Sequence, residues 1–92
     1  MKADIQKLKA QAAEIEITVW VGKNGITDSI IEELEDQLRS KRLVKVKILK
    51  NALGQTPRNG IVRELEEKSG ATLVEIRGGV AVFLSPFRRR TL

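Results

Sequence analysis

Val19-Trp20-Val21-Gly22-Lys23-Asn24-Gly25-Ile26-Thr27-Asp28 takes the chain from an apolar strand, through a tetrapeptide bounded by glycines, into a capped helix. Glycines three apart let the backbone turn sharply and approach a ligand with no Cβ in the way. Thr27 is a good N-cap, and Asp28 in the first helical turn suits the dipole. The unpaired N–H groups of such a helix start favour an anion, and Lys23 adds a mobile positive charge beside them. A glycine pair of this spacing is also an ordinary strand-to-helix turn, so the motif alone is weak. A nucleotide-binding P-loop is excluded, because G-x-x-x-x-G-K-[ST] is missing.

Working outward, Ile17-Thr18-Val19-Trp20-Val21 alternates as a strand, with Ile17, Val19 and Val21 expected on one side. Upstream, residues 2–15 read as a helix with Ile5, Leu8, Ala12 and Ile15 on one face. Downstream, Ile30, Ile31, Leu34 and Leu38 give the second helix its buried face, and it ends near Ser40 among Arg39, Lys41 and Arg42. Leu43 to Leu49 is the clearest strand, with Val44, Val46 and Ile48 facing one way and Lys45 and Lys47 the other. Thr56-Pro57 reads as an N-cap and N1 pair opening a third helix to about Ser69, with Ile61, Val62 and Leu65 inward and Gly70 as its stop. Leu73 to Ile76 and Val80 to Leu84 form a hairpin across Arg77-Gly78-Gly79. Pro86 ends regular structure, and 86–92 is a basic tail. The order α-β-α-β-α-β-β predicts a two-layer α/β sandwich with a four-stranded mixed sheet: parallel βαβ steps and one antiparallel strand from the hairpin.

At 92 residues the chain makes a single domain, 1–92, with one core. Seventeen Lys and Arg against 12 Asp and Glu, a net charge of +5, favour a polyanionic partner. Without cysteine there are no disulfides or thiolate metal sites, and without histidine the usual metal ligand and general base are missing. No metal or cofactor is expected. The acidic residues fall mainly on amphipathic helix faces, where solvated charge is the ordinary explanation, so a non-enzymatic protein is expected. No apolar run approaches the roughly 20 residues needed to span a bilayer, and the charged N-terminus is unlike a signal peptide. The expected location is the cytoplasm, with no membrane partner.

The binding candidates are Gly22, Lys23, Asn24 and Gly25, extended by Lys45, Lys47, Arg77 and the tail residues Arg88, Arg89 and Arg90. Lysines alternating out of a strand also protect a sheet edge, and an arginine tail adds phosphate contacts without specificity. Asp28, Glu32 and Glu33 would repel phosphate unless they point away from the loop. Trp20 can stack on a base, but the area an indole covers favours burial beneath the first helix.

Four blocks together resemble the CRM domain (chloroplast RNA splicing and ribosome maturation) in its small, stand-alone YhbY-like form. They are Leu8-Lys9 followed by Ala12, the stretch from Val19 to Thr27, Leu43 to Lys47, and Ser69-Gly70-Ala71 through Arg77-Gly78-Gly79-Val80. The resemblance implies a fold similar to the C-terminal domain of translation initiation factor 3. It also implies RNA binding through the Gly-Lys-Asn-Gly loop and nearby basic positions, with ribosomal RNA or a pre-ribosomal particle of the large subunit as partner. The alternatives are a module docking on a ribosomal or splicing protein, and a small basic DNA-binding protein. The oligomeric state is not legible in the sequence.

Overall fold

The computed structural model describes residues 2–50 and 58–86. Readings that fall on 51–57, including the Thr56-Pro57 cap, and on 87–92, including Arg88, Arg89 and Arg90, lie outside the described residues. The elements in chain order are α1 (Lys2–Ala12), β1 (Ile17–Val21), α2 (Asp28–Ser40), β2 (Leu43–Ile48), α3 (Arg58–Ser69), β3 (Thr72–Arg77) and β4 (Val80–Leu84).

The strands form one mixed sheet in the order β1-β2-β4-β3. β1 runs parallel to β2, while β4 is antiparallel to both β2 and β3. β3 is therefore parallel to β2 but one strand removed, and the connection through α3 is a βαβ unit split by the inserted β4. The α/β class, the element order and the four-stranded mixed sheet are those expected from the sequence.

Alternation along the strands decides what each face of the sheet covers. Val19, Val21, Val44, Val46, Ile48, Ala81 and Phe83 face α2 and α3, which bring Leu34, Leu38, Ile61, Val62 and Leu65 to the same core. Ile30 and Ile31 pack against its margin, as the periodicity of α2 predicts. Phe83, at full burial on a central strand, is its largest member, and each such side chain contributes about 1.5–3 kcal/mol relative to exposure. On the opposite face α1 lays Leu8 and Ala12 over Leu43 and Val82, with Ile15, Val74 and Leu84 at the rim. This second cluster adds a partial cover to the back of the α/β sandwich.

Helix ends follow local chemistry. The Thr27 hydroxyl accepts from the Ile30 amide at 3.2 Å, the N-cap expected from the sequence. α3 stops at Gly70, whose φ of +75° turns the chain while its amide donates to the Glu66 carbonyl. The Glu66 carboxylate then accepts from the Leu73 amide at 2.8 Å and ties the start of β3 to the helix.

Three details differ from the sequence expectation. The first helix ends at Ala12 and passes through a turn closed by Ile15 N–H on the Ala12 carbonyl, and Ile5 is exposed because α1 is seated by Leu8 and Ala12. A register shift between Ile17 and Val19 places Ile17 opposite Lys45, whereas Val19 pairs with Val46. Ile17 thus leaves the face it would share with Val19 in a regular strand. The extra residue, Thr18, is held by Gln37 of α2, which accepts a hydrogen bond from its hydroxyl and donates one to its carbonyl. Finally, Trp20 is not beneath the first helix: it is 52% exposed, and the main contacts of α1 are with β2 and β3.

Candidate nucleic-acid interface

The sheet topology gathers three connections at one end. β1 and β2 both finish there, and antiparallel β4 begins there where β3 ends. The loop after β1, the start of the loop after β2 and the β3–β4 turn are consequently neighbours. Two hydrogen bonds lock them together: Leu49 N–H to the Val21 carbonyl (3.0 Å) and Ile48 N–H to the Gly79 carbonyl (2.7 Å).

Gly22-Lys23-Asn24-Gly25 is a β-turn closed by the Gly25 amide on the Gly22 carbonyl at 2.8 Å. Neither central residue has a positive φ, which excludes the type II, I′ and II′ turns. Gly25 follows at φ +69°, a conformation L residues rarely adopt, and so redirects the chain toward the Thr27 cap. Lys23 and Asn24 stand exposed at the tip. The β3–β4 turn has Gly78 at φ +60° while Gly79 is not positive, the pattern of a type II′ hairpin.

Just inside this end, on the face partly covered by α1, register aligns Trp20 with Lys47, Lys47 with Val80, and Val80 with Arg77. Lys47 is half-buried, and its amine lies so close to Gly79 that a Cβ there would be 3.3 Å from Nζ. Arg77 is exposed and only loosely associated with Glu75 at 3.9 Å, a surface pairing of small energetic weight. Beside it, a cleft of about 160 Å³ between α1 and the sheet is lined by Lys9, Lys45, Glu75, Arg77 and Val80 among others.

The sequence-derived candidates therefore separate. The turn 22–25, Lys47 and Arg77 share one end of the sheet. Lys45 points to the same face, but its amine donates to the Ile15 carbonyl at 3.3 Å beneath the end of α1, where it anchors the helix. The acidic residues Asp28, Glu32 and Glu33 belong to α2, on the opposite face of the sheet from the Trp20–Lys47–Val80–Arg77 row. On α3, Lys68 lies 2.7 Å from Glu64. The hydrogen bond and negative charge of Glu64 raise the pKa of that exposed lysine.

Sequence reasoning missed two residues. Lys9 joins the cleft because α1 lies on β2 and β3, which no local pattern encodes. Gly79 was read only as a turn residue, yet its missing side chain leaves the space beside the Lys47 amine. Among the described residues, no cluster of acidic side chains is arranged to hold a metal ion, and no helix is long and apolar enough to cross a membrane.

The sequence profile of the CRS1 / YhbY (CRM) domain matches residues 1–84, spanning every element described above. The chain belongs to the CRM domain family. This CRM domain is 35% identical over 79 residues to the probable RNA-binding protein MJ0652 of Methanocaldococcus jannaschii, covering 86% of the chain but 58% of that relative. It thus spans little more than half the length of that protein. It is 28% identical over 75 residues to the probable RNA-binding protein YqeI of Bacillus subtilis, covering 82% of the chain and 76% of the relative. The solution structure of the hypothetical protein SAV1595 from Staphylococcus aureus superposes with a TM-score of 0.78 at 23% identity, covering 99% of this chain and 93% of that one. That superposition shows that the two chains share their fold.

Proposed function

We propose that this CRM domain binds structured RNA, holding a sugar-phosphate strand at the Gly22–Gly25 turn, and acts without catalysis in cytoplasmic assembly of the large ribosomal subunit. The observation that carries the proposal is convergence: an exposed lysine turn, the Lys47 amine and Arg77 meet at one end of the sheet, while the acidic helix α2 lies on its other face. Family membership and relatives named as probable RNA-binding proteins support RNA as the polyanion. Phosphate contacts of this kind fix position and carry little sequence information, so selectivity rests on RNA shape. Asn24, exposed beside Lys23 at the tip, is suited to a ribose or base contact.

The test is Gly22→Asp, which introduces a carboxylate into the turn. A Cβ at Gly22 meets only the Leu49 side chain at 3.7 Å, and the backbone there does not require glycine, so the variant should fold, which circular dichroism checks. Fluorescence anisotropy with ribosomal RNA fragments and matched duplex DNA, at several salt concentrations, should show salt-steep RNA binding by the parent and its loss in the variant. Equal RNA binding by both proteins refutes the turn as the phosphate site; a preference for the DNA refutes RNA as the partner. Enrichment of large-subunit precursor RNA after crosslinking in cells tests the assembly role, and its absence removes that role.

A further inference from the structure

Trp20 is the one tryptophan of the chain, and more than half of its surface is in water although it sits within a β-strand. Its neighbours explain the exposure. β1 is an edge strand, its partner at this register is Lys47, and the main contacts of α1 are with β2 and β3. Two residues further along the chain lies the Gly22–Gly25 turn. A flat indole face is thus held by a rigid sheet, flanked by Lys47 on one side and by the Lys23 turn along the chain.

A purely apolar partner would leave those cations unmatched, whereas a nucleotide offers a π-face to the indole and a phosphate to the lysines. In a continuous duplex the bases are stacked on one another and present no free face; an unpaired base does. We infer that Trp20 is a stacking platform for an unpaired base of RNA whose backbone is held at the Gly22–Gly25 turn. The ligand class is therefore RNA with an extruded or single-stranded nucleotide, not uniform duplex. This rests on the RNA-binding proposal above and adds the form of RNA to it.

Tyrosine is missing from the chain, so intrinsic emission excited in the indole band reports on Trp20 alone. The probes are a blunt RNA duplex and the same duplex carrying one bulged adenosine, with anisotropy of labelled RNA read in parallel and circular dichroism confirming folding. The bulged duplex should quench Trp20 emission saturably and the blunt duplex should not. Trp20→Ala should lose roughly 5- to 150-fold in affinity for the bulged probe, the loss equivalent to one base–aromatic stack, with no change on the blunt one. Trp20→Phe should recover most of that loss.

Salt-steep binding abolished by Gly22→Asp, but with unchanged emission and no effect of Trp20→Ala, overturns the stacking platform and leaves RNA binding intact. Equal quenching and equal losses on both duplexes overturn the requirement for an unpaired base. No binding to either probe at low salt overturns both proposals.

Discussion

One methyl group, added at either of two glycines at the same end of the sheet, should have opposite effects on stability. At Gly22 a Cβ would sit 3.7 Å from Leu49 Cδ1, an ordinary contact, on a backbone that does not demand glycine. Gly22→Ala should therefore gain about 0.4–1 kcal/mol from the reduced freedom of the unfolded chain. At Gly79 the same atom would lie 3.1 Å from the Ile48 carbonyl oxygen and 3.3 Å from Lys47 Nζ. The lysine end swings away easily. The carbonyl does not, because the Ile48 amide is simultaneously bonded to the Gly79 carbonyl at 2.7 Å. Moving the two strands apart by a few tenths of an ångström weakens that bond, an overpacking cost of about 1–3 kcal/mol. After subtracting the unfolded-state gain at the middle of each range, Gly79→Ala should be less stable than the parent by about 1.3 kcal/mol. In urea, with a slope near 1 kcal/mol per molar for a small domain, its midpoint should fall by about 1.3 M, while that of Gly22→Ala rises by about 0.4–1 M. Equal midpoints for the two variants, or a greater loss at Gly22, would refute this account of the sheet end.

Phe83→Ala, at the centre of the main core, should cost about 3–5 kcal/mol, a large share of the roughly 5–14 kcal/mol available to a domain of this length; equilibrium denaturation measures it. Thr27→Ala removes the hydroxyl that caps α2 and should cost about 1 kcal/mol, read as a lowered melting temperature. Lys47→Ala should lower the slope of log affinity for RNA against log salt by somewhat under about one. Lys45→Ala should leave that slope unchanged, because its amine is committed to the Ile15 carbonyl.

The parts legible in the sequence were those governed by local periodicity and capping. Val44, Val46 and Ile48 alternate with two lysines, and that alone oriented β2. Thr27, followed by Ile30, Ile31, Leu34 and Leu38, defined both the start and the buried face of α2. What escaped reading depends on contacts between distant segments. The shift at Thr18 follows from Gln37 reaching across from α2, so Ile17 changes faces with no signal in its own strand. The exposure of Trp20 depends on which strands α1 crosses, and that crossing also commits Lys45 and brings Lys9 beside Arg77. For the candidate site, the turn and its charges were visible because glycine and lysine act locally. The row of Trp20, Lys47, Val80 and Arg77 across the sheet became visible only with the register, because β4 is inserted between strands that precede it in the chain.

That insertion has a consequence for how the protein is made. Of the four strands of this sheet β4 is synthesised last, yet it lies in the sheet interior and carries Ala81 and Phe83 into the main core. Translation at about 5–20 residues per second releases α1 and the β1–α2–β2 unit before β4. Until Val80 to Leu84 emerge, β2 has an open flank and the hydrophobic sides of α2 and α3 lack their central support. The nascent chain should therefore lack a stable half-way structure. Its folding should be a single late event, and stalled products ending before β4 should be substrates for proteases and chaperones.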